Sequence, residues 1–423
     1  MDRRGVLEWL FAQEASGIKF GLENTKELLE RMGNPHQKFR SVHIAGTNGK
    51  GSVSAMTESV LREAGYATGL YTSPHLVDFS ERIRVCGEKI SDSEFLELAE
   101  EVRHHADEML AESKKLTFFE LTTVIAFAHF ARKGVEIAVV EVGMGGRLDS
   151  TNVITPEACA ITPISMEHAE FLGDTIAKIA AEKAGIIKPG IPVVSSKQLD
   201  DAMAVIRSKA DILTVAGEDS KFEIISSDSS GTEIFSDAVC MNLSVPLIGR
   251  YQGDNCALAV LLLKELMNRG IYIPDEAFIS GLQKTRWPGR LETVSFNPRI
   301  IIDCTHTPAG AEAVASEVKR IFGRVMLVFG ILNDKDVNGL AEKFGPVSEE
   351  AFIVTPDSKR ALPAELTAES FEPYTKVQIC SSLSDAISAA KDKAGRDGVV
   401  LITGSLYMAG EAMEVLNVSE SIL

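Results

Sequence analysis

At about 150 residues per domain, a chain of 423 residues has room for more than one domain, and 45% hydrophobic with 24% charged residues excludes collagen-like, coiled-coil and low-complexity architectures. Forty-three Lys and Arg against 60 Asp and Glu leave a formal charge of −17, which repels phosphate backbones and anionic lipid and argues against nucleic-acid and membrane partners. No apolar run reaches the ~20 residues of a membrane helix, and the six cysteines lack C-x-x-C spacing, so a cytoplasmic protein with reduced, mostly buried thiols is expected.

From residue 41, short β-branched runs alternate with amphipathic stretches of helical length, which predicts an α/β fold with a mostly parallel sheet flanked by helices. Strands are expected near 41–45, 67–72, 136–142, 158–164 and 191–195. Helices are expected over 91–113 and 117–133, opened by the capping-box pairs Ser91 with Glu94 and Thr117 with Glu120. Residues 221–235 hold two alternating runs around a Ser/Asp/Gly turn and read as a β-hairpin. The Pro-Gly pair in TRWPGRLE, 285–292, stops helix and strand alike, so the linker is placed there, giving domains 1–288 and 289–423. After residue 299 the runs RIIIDC, RVMLVFG, EAFIVTP, TKVQIC and VVLITGS restart the alternation and predict a smaller, Rossmann-like α/β domain.

The strongest local signal is SVHIAGTNGKGS: an apolar strand runs into Gly46-Thr47-Asn48-Gly49-Lys50-Gly51-Ser52, and a helix follows with Val53, Met56, Val60 and Leu61 on one face. Glycines let backbone N–H groups converge on phosphate oxygens, the helix N-terminus adds partial positive charge, Lys50 adds a full charge, and Ser52 offers a hydroxyl to Mg²⁺. The spacing departs from the Walker pattern, with Ile44 at the first glycine position and Gly51 between Lys50 and the hydroxyl. The competing reading is an ordinary Gly-rich turn. A second signal, EIAVVEVGMGGRLDSTN, is an apolar strand ending in Glu141, a candidate Mg²⁺ ligand with a structural salt bridge as the alternative. The third, ITPISMEHAEFLGDTIAKIAAEKAGIIKPG, reads as a strand ending just before Glu167-His168, then a helix whose apolar stripe of Ile176, Ile179, Ala180 and Ile187 includes Lys183. A lysine facing inward loses hydration, its pKa falls, and its neutral amine can act as a nucleophile or take up CO₂ as a carbamate; the alternative is a side chain that snorkels to solvent. His168 taken alone is by default a structural histidine.

Together these segments resemble the Mur ligase superfamily, and within it the folylpolyglutamate synthase and dihydrofolate synthase family. The resemblance also takes in IKFGLENTKELLERMGNP, TSPHLVDFSERIRV, LTFFELTT, WPGRLE, FGILNDKD and TGSLY, and so covers nearly the whole chain. It implies an ATP-dependent ligase that joins L-glutamate to the carboxylate of dihydropteroate or a folate through an acyl phosphate. Lys50 and the loop glycines would hold ATP phosphates; Ser52 and Glu141 would hold the nucleotide Mg²⁺; and Ser73, Glu141 and His168 a second Mg²⁺. Lys183 matches the family's carbamylated lysine. Asn255, Arg290 and Asp303 match nucleotide contacts, His306 and Ser405 contacts for incoming glutamate, and Arg82 and Phe119 segments near the pterin. The family usually reads Asp-Gly-Ala-His-Asn-Pro where this chain has Asp303-Cys304-Thr305-His306-Thr307-Pro308, and His-Gln where it has Tyr251-Gln252. These departures fall on the glutamate or adenosine side, away from the phosphate and metal groups. Only 45 residues precede Gly46, too few for the extra N-terminal domain of peptidoglycan-type Mur ligases. A nucleotide-binding switch without ligase chemistry is the alternative of another class. A monomer is expected, since one chain carries one set of site residues.

Overall fold

The computed structural model describes residues 2–13 and 21–418, so Ile18–Phe20 of the IKFGLENTKELLERMGNP segment lie outside the described residues. The chain divides into two units, one of Met1–Glu223, Ile234–Ser244 and Asp254–Thr285, the other of Ile224–Glu233, Val245–Gly253 and Arg286–Leu423.

The first unit is built on an eight-stranded sheet in the order Glu88–Lys89, Ile83–Val85, Thr68–Tyr71, Ile137–Glu141, Arg40–Ala45, Ala158–Ile161, Val193–Ser195, Leu213–Val215. The two strands at the first edge run antiparallel and the other pairings are parallel. The strand expected over 158–164 stops at Ile161. Pro163, which has no N–H to give a ladder, lies two residues on, and Thr162 to Glu167 are irregular. Both capping boxes form as expected, opening helices Asp92–Ala111 and Phe118–Arg132. Phe95, Leu98, Phe127, Phe130 and Val140 belong to one apolar core, while Ala45, Ile161, Ile179 and Val193 belong to another.

The helix Lys50–Glu63 differs from the one-faced pattern expected of it, because Gly51 to Leu61 are all buried. Helix Asp275–Lys284 packs so closely against it that a Cβ at Gly281 would lie 2.5 Å from the Val60 Cα, and the Ser59 hydroxyl donates to the Gly281 carbonyl at 2.6 Å. Several of its polar residues are satisfied locally, though the buried Ser52 and Ser54 hydroxyls are not: Thr57 Oγ1 donates to the Val53 carbonyl, and Glu58 accepts from Thr68 Oγ1 at 2.6 Å and from Arg62 Nε at 3.2 Å. Small hydroxyl residues therefore do here what apolar ones do elsewhere.

The second unit carries a six-stranded sheet in the order Glu292–Phe296, Arg299–Ile302, Val399–Thr403, Val325–Phe329, Ser348–Ile353, Lys376–Ile379, parallel except for its first strand. The five strands expected after residue 299 are present; the antiparallel edge strand Glu292–Phe296 was not expected. Ile301, Leu327, Phe329, Phe344 and Phe371 form its core. The expected hairpin appears as Phe222–Asp228 and Gly231–Ser236, joined by a third strand, Met241–Val245. The cysteines are free, as expected, but only Cys159, Cys256 and Cys304 are buried, while Cys86 and Cys240 are exposed. Among the described residues no helix is long and apolar enough to cross a membrane.

Candidate active site

The strand order of the first unit brings four chain segments to one edge of the sheet. Ser73 follows Thr68–Tyr71, Glu141 ends its strand opposite Ile44, Gly46 follows Arg40–Ala45, and Thr162 follows Ala158–Ile161. These are the carboxyl ends of adjacent parallel strands, where open α/β sheets bind ligands.

The phosphate-loop backbone is fixed from the neighbouring strand. The Thr47 and Asn48 N–H groups donate to the Pro163 carbonyl at 3.0 and 3.3 Å, and Thr47 Oγ1 exchanges hydrogen bonds with the Ser165 backbone. Gly46 at φ 146° and Gly49 at φ 92° hold conformations that side chains disfavour; a Cβ at Gly46 would meet Thr162 Oγ1 at 1.8 Å, and one at Gly49 would meet Asn255 Oδ1 at 2.4 Å. Asn255 thus packs directly on the loop, a proximity that spacing alone does not reveal. Gly49 is the N-cap of helix Lys50–Glu63, whose first-turn N–H groups lack intrahelical partners and favour an anion. Lys50 Nζ donates to the Thr47 carbonyl at 3.3 Å. The Ser52 hydroxyl is buried with no hydrogen-bond partner, a state that costs ~1–3 kcal/mol unless a ligand or ion completes it.

Glu141 is 4% exposed, and its Oε2 accepts the Ser73 N–H at 3.3 Å. Lys183 ends helix Ile176–Lys183 and is 2% exposed, as the apolar stripe predicts; Ile187 lies beyond the helix. Its ammonium donates to the Gly46 carbonyl at 2.7 Å and lies 4.0 Å from Glu167 Oε2. Burial, reinforced by the Lys50 charge, lowers its pKa to about 7. His168 sits in the left-handed region at φ 50° ahead of the short helix Ala169–Leu172, with Nε2 3.5 Å from Glu167 Oε1. Among the described residues no group of three or more His, Cys, Asp or Glu converges as a metal cage.

Arg82 and Phe119 lie on a neighbouring aromatic wall. The Arg82 guanidinium stands 5.1 Å over the Phe118 ring and donates from Nε to His75 Nδ1 at 2.7 Å; burial, reinforced by Arg82, lowers the His75 pKa to about 4. Phe119 lies against Gly143 and 6.0 Å from the Tyr71 ring. Sequence reasoning passed over His75. It also passed over a buried chain in which His43 Nε2 meets Thr151 Oγ1 at 2.8 Å and Thr151 Oγ1 donates to Asp149, whose other oxygen accepts the Met144 N–H at 2.9 Å. The Asp-Ser-Thr run was a visible signal, because an Asp two residues before a Thr forms a local turn.

In the second unit, Asp303 and Ser405 follow two neighbouring parallel strands, Arg299–Ile302 and Val399–Thr403. Asp303 is fully buried; Oδ2 accepts the Leu291 N–H at 3.0 Å and Oδ1 the Thr305 N–H at 2.8 Å. Arg290 Nη1 donates to the Gly289 carbonyl at 3.2 Å. His306 Nδ1 lies 2.9 Å from the Cys304 carbonyl, and Ser405 caps helix Leu406–Val415 by accepting the Met408 N–H at 3.1 Å. Thr307 caps helix Pro308–Phe322 through the Gly310 N–H at 3.2 Å.

Two family models match the chain: the Mur ligase middle domain over residues 44–263 and the Mur ligase glutamate ligase domain over 289–406. A dihydrofolate synthase/folylpolyglutamate synthase of Bacillus subtilis is 37% identical, over 95% of this chain and 96% of its own. A probable bifunctional folylpolyglutamate synthase/dihydropteroate synthase of Haloferax volcanii is 36% identical over 97% of this chain, which spans about half, 50%, of that relative's length. The solved structure of Mycobacterium tuberculosis folylpolyglutamate synthase complexed with ADP superposes with a TM-score of 0.88 at 32% identity, covering 98% of this chain and 99% of that one. The chain belongs to the folylpolyglutamate synthase/dihydrofolate synthase family of Mur ligases.

Proposed function

We propose that the protein is an ATP-dependent ligase that forms an amide between L-glutamate and the carboxylate of dihydropteroate, of a folate, or of both. One observation carries the reading: the phosphate loop, the Glu141 carboxylate with Ser73, and a buried Lys183 of lowered pKa share one sheet edge. A nucleotide switch needs the loop and has no use for a buried amine against it.

In the reaction the acceptor carboxylate attacks the γ-phosphorus of ATP and ADP departs. The glutamate amine then adds to the carbonyl carbon of the acyl phosphate, and the tetrahedral intermediate loses phosphate and a proton to leave the amide. Negative charge spreads over phosphoryl oxygens in the first step, so catalysis rests on fixed positive groups. The loop N–H groups and Lys50 supply them, with Asn255, Arg290 and Asp303 as further nucleotide contacts. The buried Ser52 hydroxyl and the Glu141 carboxylate are hard oxygen donors that suit Mg²⁺, and Ser73, Glu141 and His168, with a carbamate on Lys183, are proposed for a second ion. When bound, the metal neutralises phosphoryl charge. At pH values above about 7 the Lys183 amine is neutral and able to take up CO₂, which supports a carbamate there. His306 and Ser405 are assigned to glutamate, and Arg82 and Phe119 to the pterin. The proposal includes action as a monomer in the cytoplasm, where ATP and glutamate are at hand.

The test offers ATP, Mg²⁺ and L-glutamate with dihydropteroate and tetrahydrofolate separately and weighs the products. A glutamyl adduct of dihydropteroate alone marks a dihydrofolate synthase, and adducts of both mark a bifunctional enzyme. ATP hydrolysis that ignores glutamate and both acceptors defeats the ligase reading.

A further inference from the structure

The loop Ser73 to Asp78 carries two groups of the candidate site, Ser73 beside Glu141 and His75 beside Arg82, yet has no strand or helix of its own to hold it. A buried carboxylate that the proposed reaction leaves without a role takes that part. Glu81, in the short 3₁₀ helix Phe79–Arg82, accepts the Leu76 N–H at 2.8 Å with Oε2 and the Val77 and Asp78 N–H groups at 3.1 and 2.8 Å with Oε1. Three consecutive amides thus converge on one carboxylate. A second layer secures the same turn: the Asp78 carboxylate accepts the Ser80 N–H at 2.7 Å and both its oxygens face Arg3, whose Nε reaches Asp92 at 2.8 Å.

We propose that Glu81 is a positioning residue for the ligase reaction, holding the Ser73–Asp78 loop so that Ser73 meets Glu141 and His75 meets Arg82. The inference rests on the ligase reading above. Charge-assisted bonds to backbone N–H groups are about twice as strong as neutral ones, and two carboxylate oxygens have lone pairs for all three donors. Glutamine keeps the shape but turns an NH₂ group towards one or more of these amides, so the turn loses its anchor. Its effect then falls on the groups the loop delivers, and leaves the phosphate loop, which is held by Pro163 and Ser165, intact.

The experiment compares wild type with Glu81→Gln and Asp78→Asn by three readouts: glutamyl-product turnover as Mg²⁺ is varied, affinity for a fluorescent ATP analogue, and amide exchange of Leu76, Val77 and Asp78. The account expects Glu81→Gln to lower kcat about 10²-fold, raise the Mg²⁺ midpoint, leave nucleotide affinity within about twofold, and release the three protected amides. Asp78→Asn should give the same pattern at smaller amplitude. Unchanged kcat and Mg²⁺ midpoint in Glu81→Gln overturn the proposal, as does a parallel loss of nucleotide affinity, which signals general damage. If Glu81→Gln fails to fold, Asp78→Asn with wild-type kcat and Mg²⁺ midpoint overturns it. Amide exchange needs no turnover: if wild type forms no glutamyl product the ligase reading fails, and unprotected amides in wild type defeat the role of Glu81 separately.

Discussion

The Gly46–Ser52 loop of the first unit and the Asp303–Thr307 turn of the second both follow a parallel strand at its carboxyl end, and they use their polar side chains in different ways. In the first, the Ser52 hydroxyl has no hydrogen-bond partner among the described residues, and Lys183, whose ammonium reaches the loop's Gly46 carbonyl and lies 4.0 Å from Glu167, has its pKa drawn down to about 7. In the second, Asp303 accepts two backbone N–H groups, His306 and Ser405 bond backbone, and Thr307 caps a helix. The first region leaves a buried hydroxyl without a partner and a buried amine of lowered pKa, whereas Asp303, His306, Ser405 and Thr307 of the second each bond backbone. At 307 the difference from the family's usual Asn is structurally tolerated, because Thr keeps the capping oxygen that Asn would bring.

Substitutions sharpen the contrast. Lys50→Ala removes the charge at the phosphate site and should cut glutamyl-product formation by at least ~10³-fold, with a melting temperature within a few degrees of wild type. Lys183→Ala should cost ~10²-fold or more. Lys183→Arg, which keeps a cation and cannot form a carbamate, should fall as low as the alanine variant; a highly active arginine variant would assign Lys183 the role of a plain cation.

Lys183 also carries a pH signature. Its folded pKa near 7 lies below its unfolded value, so between pH 7 and about 10.5 the unfolded chain binds more protons and stability rises with pH. The burial cost is fully present below pH 7. Lys183→Met should therefore stabilise the protein most near pH 6 and progressively less towards pH 10, as thermal melts across that range would read.

In the second unit the effects should be smaller and structural. Asp303→Asn sets an NH₂ against a backbone donor and should cost ~2 kcal/mol of stability, with a raised KM for ATP. Thr307→Ala should cost ~1 kcal/mol through the lost cap, and Thr307→Asn should be close to neutral. Both are measured by denaturant unfolding.

What the sequence disclosed follows the same division. The phosphate loop, both capping boxes and the inward-facing Lys183 are legible because each is a local pattern of residue type and spacing. The all-round burial of helix Lys50–Glu63 was not, because it depends on a helix more than 200 residues later and is met by Ser and Thr. The strands Ile83–Val85 and Glu88–Lys89 escaped notice because they are only three and two residues long, and Glu292–Phe296 because it is an edge strand only partly buried. Glu81 looked like one acidic residue among many; its role appears only when the loop folds back to place three amides on it.

The most direct test of the central claim labels both carboxylate oxygens of the acceptor with ¹⁸O and follows them through one turnover with ATP and L-glutamate. Attack on the γ-phosphorus followed by amide formation must carry one acceptor oxygen away, so the account predicts one ¹⁸O in each inorganic phosphate released. Glutamyl product accompanied by unlabelled phosphate, or by ¹⁸O in AMP, would contradict it.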